Sequence, residues 1–469
     1  MEYLAGLSPW DWFVLVEYEL LLFAAVFFLI GALDELAVDI LYVWLRLTGR
    51  IATPRLAEEE SLSAPLSGRA AVLIPTWQEA RVIGATISYA LNAWPHRELT
   101  IYVGCYRNDP ETIATVAAIA EKNARLELVV VPRDGPTCKA DCLNHLYDAL
   151  RRDEAKSGEP VRMVVLHDAE DMVDPAALAL MDRALEEAEF VQLPVLALPQ
   201  RGSALIAGHY CDEFAEAHGK TMPVRDVLQA GIPGAGVGCA IARPMLDLLA
   251  RDNALAGEKA RPFATNSLTE DYELGLRISS FGGRATFLRV RHASGSLVAT
   301  RSYFPDRLDQ SVRQKTRWTH GIALQSWDRL GWHGGPVKLW MQLRDRRGPL
   351  AALLLAIAYI LVAMHAAGWV AERTGIGDTA AFSPFLAALL WFNFAFFVWR
   401  AIMRCIFTTR EFGRVEGLWA IARIPISNII AIMAGRRAVI GYLKSLGGEA
   451  PRWDKTEHLA HPMMTRQGV

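Results

Sequence analysis

The 469-residue chain carries 49 Lys plus Arg against 51 Asp plus Glu, for a net charge of -2. That balance excludes a polybasic nucleic-acid binder, and no nucleic-acid partner is expected. Hydrophobic residues make up 52%, charged residues 21%, and the mean hydropathy is +0.17, too apolar for an ordinary soluble enzyme and too rich in core residues for a disordered chain.

The first predicted element is an apolar run from about Phe13 to Leu33, long enough to cross ~30 Å of hydrocarbon. An acidic start and the lack of a small-residue cleavage site argue against a signal peptide. Asp34, Glu35 and Asp39 recur beyond it at helical spacing, which predicts a helix leaving the membrane along its surface. Residues 1–67 are therefore read as a membrane helix plus an interfacial helix.

From Gly68 to Asp345, β-rich runs alternate with helical stretches. Ala70–Ile74, Leu99–Val103, Leu126–Val131 and Arg162–Leu166 are predicted strands, and a helix passes through Ile83, Ile87 and Leu91. This alternation predicts an α/β domain with a mostly parallel sheet and helices on both faces. In such sheets ligands bind beyond the carboxyl ends of the strands, where Gln78-Glu79, Arg107-Asn108-Asp109 and His167-Asp168-Ala169-Glu170-Asp171 fall. No G-x-G-x-x-G or Walker A sequence follows the first strand, which speaks against dinucleotide and P-loop chemistry. The six cysteines form no C-x-x-C pair and read as reduced core thiols of a cytosolic domain.

Asp168 and Glu170, two apart on an extended segment, point the same way and could hold a hard divalent ion bridging phosphate oxygens. The competing reading is a helix N-cap with acidic first-turn residues. Thr269-Glu270-Asp271 offers Asp271 as a general base toward an acceptor hydroxyl, or Thr269 as another N-cap. Gln314, Arg317 and Trp318 share one helical turn, where the indole could support a sugar and the Gln and Arg could meet diphosphate oxygens. Interfacial anchoring is the alternative. Lys139-Ala140-Asp141 follows the third strand, and Pro233–Gly238 permits close backbone approach to a ligand.

Two further spans are predicted at Leu350–Val370 and about Phe385–Val398. Arg423 and Pro425 inside Leu418–Ala434 mark the next apolar stretch as interfacial or re-entrant, since a central Arg costs ~2.5–3.5 kcal/mol on insertion scales. Residues 346–446 thus form a membrane and interfacial unit, and 447–469 a cytoplasmic tail. Arg clusters after the first span, before the second and after the third share one side if the amino terminus lies outside, which puts residues 68–345 in the cytoplasm.

Pro75–Glu79, Lys139-Ala-Asp141, Asp168-Ala-Glu170, Thr269-Glu270-Asp271 and Gln314-x-x-Arg317-Trp318, followed by membrane helices, resemble the processive family-two glycosyltransferases of bacterial inner membranes. The resemblance covers nearly the whole chain and implies a GT-A (Rossmann-like) catalytic domain. It implies transfer from a UDP-sugar, with an N-acetylhexosamine favoured, to a growing exopolysaccharide, together with Mg2+ or Mn2+ as cofactor and an outer-membrane export partner. On this basis Glu79 and Asp109 would contact the uracil or ribose, with Lys139 and Asp141 nearby. Asp168 and Glu170 would take the metal-diphosphate positions, Asp271 the base within Thr269-Glu270-Asp271, and Gln314, Arg317 and Trp318 the diphosphate and acceptor platform. Lys455 and His458 in Trp453–His458 would fold back over the nucleotide as a gating segment, or anchor the tail at the interface. Gln78 replaces the family's usual Asn, and Glu170 the usual second Asp. No cyclic-dinucleotide-binding domain of the kind some relatives carry is visible before Val469, so such control would need a separate protein. The motif Gln314-x-x-Arg317-Trp318 favours a processive enzyme. Three spans alone favour one that loads a single sugar onto a lipid carrier, and a scaffold with a degenerate transferase domain is the non-catalytic alternative.

Overall fold

The computed structural model describes residues 7–57, 65–378, 381–448 and 462. Lys455, His458 and the gating segment lie outside the described residues. The chain opens with α1 (Pro9–Leu47), then enters a seven-stranded sheet. Its first four strands are β1 (Arg69–Pro75), β2 (Leu99–Tyr106), β3 (Leu126–Val131) and β4 (Val161–Leu166), each followed by a helix: α2 (Ile83–Ala93), α3 (Pro110–Ala120), α4 (Lys139–Ser157) and α5 (Ala177–Ala184). Next come β5 (Phe190–Gln192), β6 (Val195–Ala197), α6 (Ile206–Glu216), α7 (Met222–Val227), β7 (Cys239–Ala242), α8 (Arg243–Leu255), α9 (Glu270–Ser280), β8 (Ala285–Phe287) and β9 (Thr300–Ser302). The strand order is β3-β2-β1-β4-β7-β5-β8, with β7 antiparallel to both neighbours and the other pairings parallel. A separate parallel pair joins β6 to β9.

Side-chain alternation along β1 explains why both faces are covered. Ala70, Val72 and Ile74 enter one core with Ile83, Ile87, Val116 and Met181, while Ala71 and Leu73 enter the other with Leu143, Leu146, Leu249 and Ile278. A strand buried on both faces reads as a continuous apolar run, and this is how β1, β2 and β4 read. Local signals set the helix ends: Asp109 caps α3 ahead of Pro110, and α4 stops at Gly158, whose φ of 70° suits glycine.

The remaining helices are α10 (Leu308–Trp318), α11 (Ser326–Arg329), α12 (Pro336–Arg346), α13 (Gly348–Thr374), α14 (Pro384–Phe412), α15 (Arg414–Ala422) and α16 (Ile424–Leu446). Among the described residues, four helices are long and apolar enough to cross a membrane: α1, α13, α14 and α16. The first three have one end on the α/β domain and the other away from it. At the far end Trp10 donates to the Asp378 carbonyl (2.9 Å), and the Tyr18 hydroxyl meets Ser383 (3.2 Å).

α16 differs, because both of its ends touch the domain. Arg423, just before it, donates to the Ala204 carbonyl (2.6 Å) and pairs with Asp212 (2.9 Å), while Tyr442 near its end donates to Asp328 (2.7 Å). Arg423 is thus not central in a span: it precedes the helix and is buried in ion pairs with Asp212 and Glu416.

The acids after the first apolar run are also not where the sequence suggested. No separate surface helix forms, since α1 runs unbroken for 39 residues and its acidic side meets protein. Asp34 and Glu35 pair with Arg344 and Arg347, and buried Asp39 pairs with buried Lys220 (2.5 Å). Buried charges persist where partners compensate them, and these partners lie some 180 to 310 residues downstream, beyond the reach of periodicity.

Candidate active site

A cleft enclosing about 1220 Å³, open solvent at its mouth included, lies at the carboxyl ends of β1, β2 and β4. Glu79, Lys139, Asp168, Glu170, Thr269, Glu270, Asp271, Gln314, Arg317 and Trp318 all line it. These ten residues are spread over more than half the chain, and the fold brings them together. Asp109 and Asp141 do not line it. Asp109 caps α3 and accepts from the Gln78 amide (2.6 Å), holding the loop that presents Glu79. Asp141 accepts from Thr137 (3.1 Å) and lines a neighbouring pocket with Arg133 and Arg261.

The segment after β4 is a loop and not a helix start, so the capping alternative for Asp168 and Glu170 is not realised. Asp171 organises that loop: one of its oxygens accepts from the Asp168 amide (2.9 Å) and meets His167 Nδ1 (3.0 Å). Asp168 and Glu170 are half-buried in the cleft wall, with Asp168 paired to Lys139 (2.5 Å). Thr269 stands at the N-cap of α9 but makes no side-chain cap hydrogen bond. Its hydroxyl is instead buried at the cleft, without a hydrogen-bond partner among the described residues, as are Gln314 Oε1 and Arg317 Nε.

Lys139 joins three segments. Beyond Asp168, its ammonium donates to the Gly236 carbonyl (3.2 Å) and feels Asp271 and Glu270. Burial alone would lower its pKa, but these carboxylates outweigh burial and hold it above the ordinary value. Burial raises the Asp271 carboxyl, with Lys139 opposing, and raises Glu270, with neighbouring Asp271 adding to the effect. Gly236 has φ 78°, and a Cβ there would run into the Asp271 carboxylate, so only glycine lets this loop pass so close. Gln192, wholly buried on β5, fixes the loop by accepting from the Ala235 amide (2.8 Å) and donating to the Val237 carbonyl (2.9 Å).

Several cleft residues carried no assignment in the sequence. Trp77 and Tyr106 meet edge to face (5.5 Å, 90°), and Phe214, Tyr303 and Phe304 also line the cleft. Tyr210, Phe214 and Phe304 pack around Trp318 at 6.1–6.4 Å, and the Lys315 ammonium lies 5.0 Å from its ring centre. Aromatic residues at strand ends were the available signal for Trp77, Tyr106 and Phe304. For Gln192 it was a lone amide in the apolar run Phe190–Leu193.

The family described as "Glycosyltransferase like family 2" matches residues 68–321. The chain belongs to this family. The sheet is its GT-A-like fold, joined, among the described residues, to four candidate membrane helices. Bacteriophage adsorption protein B of Escherichia coli K12 is 32% identical over 461 residues, covering 92% of this chain, and bacteriophage N4 adsorption protein B of E. coli O157:H7 matches equally. The chain spans 61% of the length of these curated relatives. Among solved structures, it is similar to a mannosyltransferase from Pyrobaculum calidifontis in complex with GDP-Man and Mn2+, at 18% identity and TM-score 0.48 over 87% of this chain and 99% of that one. Glucosyl-3-phosphoglycerate synthase from Mycobacterium tuberculosis, in complex with Mn2+, UDP and phosphoglyceric acid, is 17% identical with TM-score 0.34, over 57% of this chain and 81% of that one.

Proposed function

We propose that this chain is a metal-assisted, inverting glycosyltransferase of the bacterial inner membrane, which builds an exopolysaccharide on the cytoplasmic face from a UDP-sugar, with UDP-N-acetylhexosamine as the favoured donor. The observation that carries this reading is the meeting, in one cleft, of Asp271, the Lys139–Asp168 pair and the unpartnered polar atoms of Gln314 and Arg317. Buried polar atoms without partners cost free energy unless a ligand supplies them. A diphosphate offers acceptors to Arg317, and a sugar offers hydroxyl groups to Gln314 and Thr269.

Six carboxylates face two cations in the cleft: Glu79, Asp168, Glu170, Asp171, Glu270 and Asp271 against Lys139 and Arg317. An anionic donor entering such walls needs added positive charge, and all six acids are hard oxygen donors, so the residues fit Mg2+ or Mn2+. Among the described residues, no group of three His, Cys, Asp or Glu could hold a metal. Asp168 and Glu170 would therefore hold the ion together with donor oxygens, as such ions are commonly held at phosphate sites. When bound, the ion neutralises charge on the leaving diphosphate.

Asp271 takes the proton of the acceptor hydroxyl as its oxygen bonds to the anomeric carbon and the bond to the diphosphate breaks. This is a single displacement that inverts the centre. A base whose pKa is raised toward working pH suits that transfer. Lys139 opposes the burial that raises the Asp271 carboxyl. Trp318 faces the cleft as an acceptor platform, its ring held upright by Tyr210, Phe214 and Phe304. α1, α13 and α14 would cross the bilayer, with the amino terminus outside, and α16 would lie along the domain because both its ends bond to it. A separate outer-membrane protein would receive the polymer.

The test is UDP release by the purified full-length protein in nanodiscs, across a panel of UDP-sugars, with product sizing and EDTA controls. Metal-dependent UDP release with long products is expected. Addition of a single sugar to a lipid would replace the processive reading, and no release from any donor would remove the enzymatic one.

A further inference from the structure

We infer that Tyr272 and Asp345 position the Asp271 carboxylate, and that through Asp345 the base is tied to the helices that leave the catalytic domain for the bilayer. This rests on the role proposed above for Asp271.

Tyr272 acts at both ends. Its backbone amide donates to Asp271 Oδ1 (2.8 Å), and its phenol donates to Asp345 Oδ2 (2.8 Å), 73 residues away. The ring is buried, and burial together with the Asp345 carboxylate pushes the phenol well above its ordinary pKa, so it remains a donor. Asp345 is itself fixed: Arg225 Nη1 reaches both of its oxygens (2.7 and 2.8 Å), and Arg225 Nε donates to the Gly231 carbonyl (2.8 Å). Gly231 opens the segment running to Gly236, whose backbone passes the other oxygen of Asp271. One carboxylate therefore anchors two supports of the base: the start of α9 and the glycine-rich loop.

The surroundings of Asp345 give this anchor a wider reach. It occupies the last turn of α12, three residues before α13 begins. Its neighbours Arg344 and Arg347 grip Asp34 and Glu35 on α1, and the guanidinium of buried Arg346 lies over Trp332, 4.4 Å from the ring centre. Residues 344–348 thus contact α1, continue into α13 and hold Tyr272. A shift of either membrane-directed helix against the domain moves the phenol's partner, and the Tyr272 amide follows.

The test uses the full-length chain in lipid nanodiscs. Tyr272→Phe deletes one hydroxyl and keeps the ring. Its kcat for UDP release from UDP-N-acetylglucosamine should fall roughly ten- to hundred-fold through misplacement of the base, while the donor KM and the thermal midpoint stay near the parent's. Deuterium uptake across residues 269–274 should rise in the same variant. Asp345→Ala should reproduce the kinetic split, and Asp345→Asn, which still offers the phenol an acceptor, should restore much of the rate. Unchanged uptake, unchanged kcat in an active chain, or kcat and KM moving together would overturn the inference. If the parent chain releases no UDP from any donor of the panel, the glycosyl-transfer reading falls, and the uptake of residues 269–274 still decides whether Tyr272 holds Asp271. If Asp345→Ala fails to fold, Tyr272→Phe decides alone.

Discussion

One oxygen of Asp271 takes the Tyr272 amide and the other lies beside Gly236 and Lys139. Asp271→Asn keeps an acceptor for the amide and removes only the basicity. Transfer should fall roughly 10²–10⁴-fold, the usual cost of losing a general base, while calorimetry should find UDP binding largely retained. Near-normal turnover would take Asp271 out of the mechanism. The neighbouring acids Glu170 and Asp171 separate in the same way. Both border the cleft, but Asp171 also holds the Asp168 amide and His167. Glu170→Ala should weaken the Mn2+ dependence of UDP release at an unchanged thermal midpoint. Asp171→Ala should cost about 1–3 kcal/mol, the penalty for buried groups left without partners, and lower the midpoint. A metal response lost only in Asp171→Ala would move the metal site one residue along.

Among the elements, β5 and the loop from Pro233 to Gly238 depend on a single side chain. Gln192→Leu fills the same space but leaves the Ala235 amide and the Val237 carbonyl without its amide group. It should lower stability by about 1–3 kcal/mol and, because that loop touches Asp271, reduce kcat beyond what the loss of folded protein accounts for. Measured turnover per folded molecule, equal to the parent's, would confine Gln192 to the core.

The same contrast explains what could be read in advance. β1, β2, β3 and β4 were legible because each is six to eight residues of apolar sequence ending in polar residues. The motifs after them were legible because parallel sheets place chemistry there. β5, β6, β8 and β9 are three residues each, too short for any period to register. Whether Thr269 capped a helix or faced a cleft was a question of side-chain direction, which spacing does not encode. Asp109 and Asp141 had the right residue type and position in the chain, yet their side chains serve a helix cap and a neighbouring pocket.

For the whole molecule, the proposed topology turns on α16. By length and composition it could cross, and then the two termini would share a side. Both its ends are bonded to the α/β domain, and the proposed three-span arrangement would place Leu446, 65% exposed, on the cytoplasmic side. A membrane-impermeant maleimide should label Leu446→Cys in inverted vesicles, above the background of the parent cysteines, and should leave it unlabelled in intact spheroplasts. Labelling in spheroplasts would establish a fourth crossing.

The unbroken acidic face of α1 also has a consequence for how the protein is made. Asp34, Glu35 and Asp39 leave the ribosome well before their partners: Lys220 follows Asp39 by 181 residues and Arg344 follows Glu35 by 309. At ~5–20 residues per second, the second gap is about 15–60 s of synthesis. Throughout that interval the helix can be inserted, but its carboxylates must remain hydrated at the membrane surface. Their docking is therefore a late event in biogenesis, and it joins α1 to a segment made only after the strands of the sheet have been synthesised.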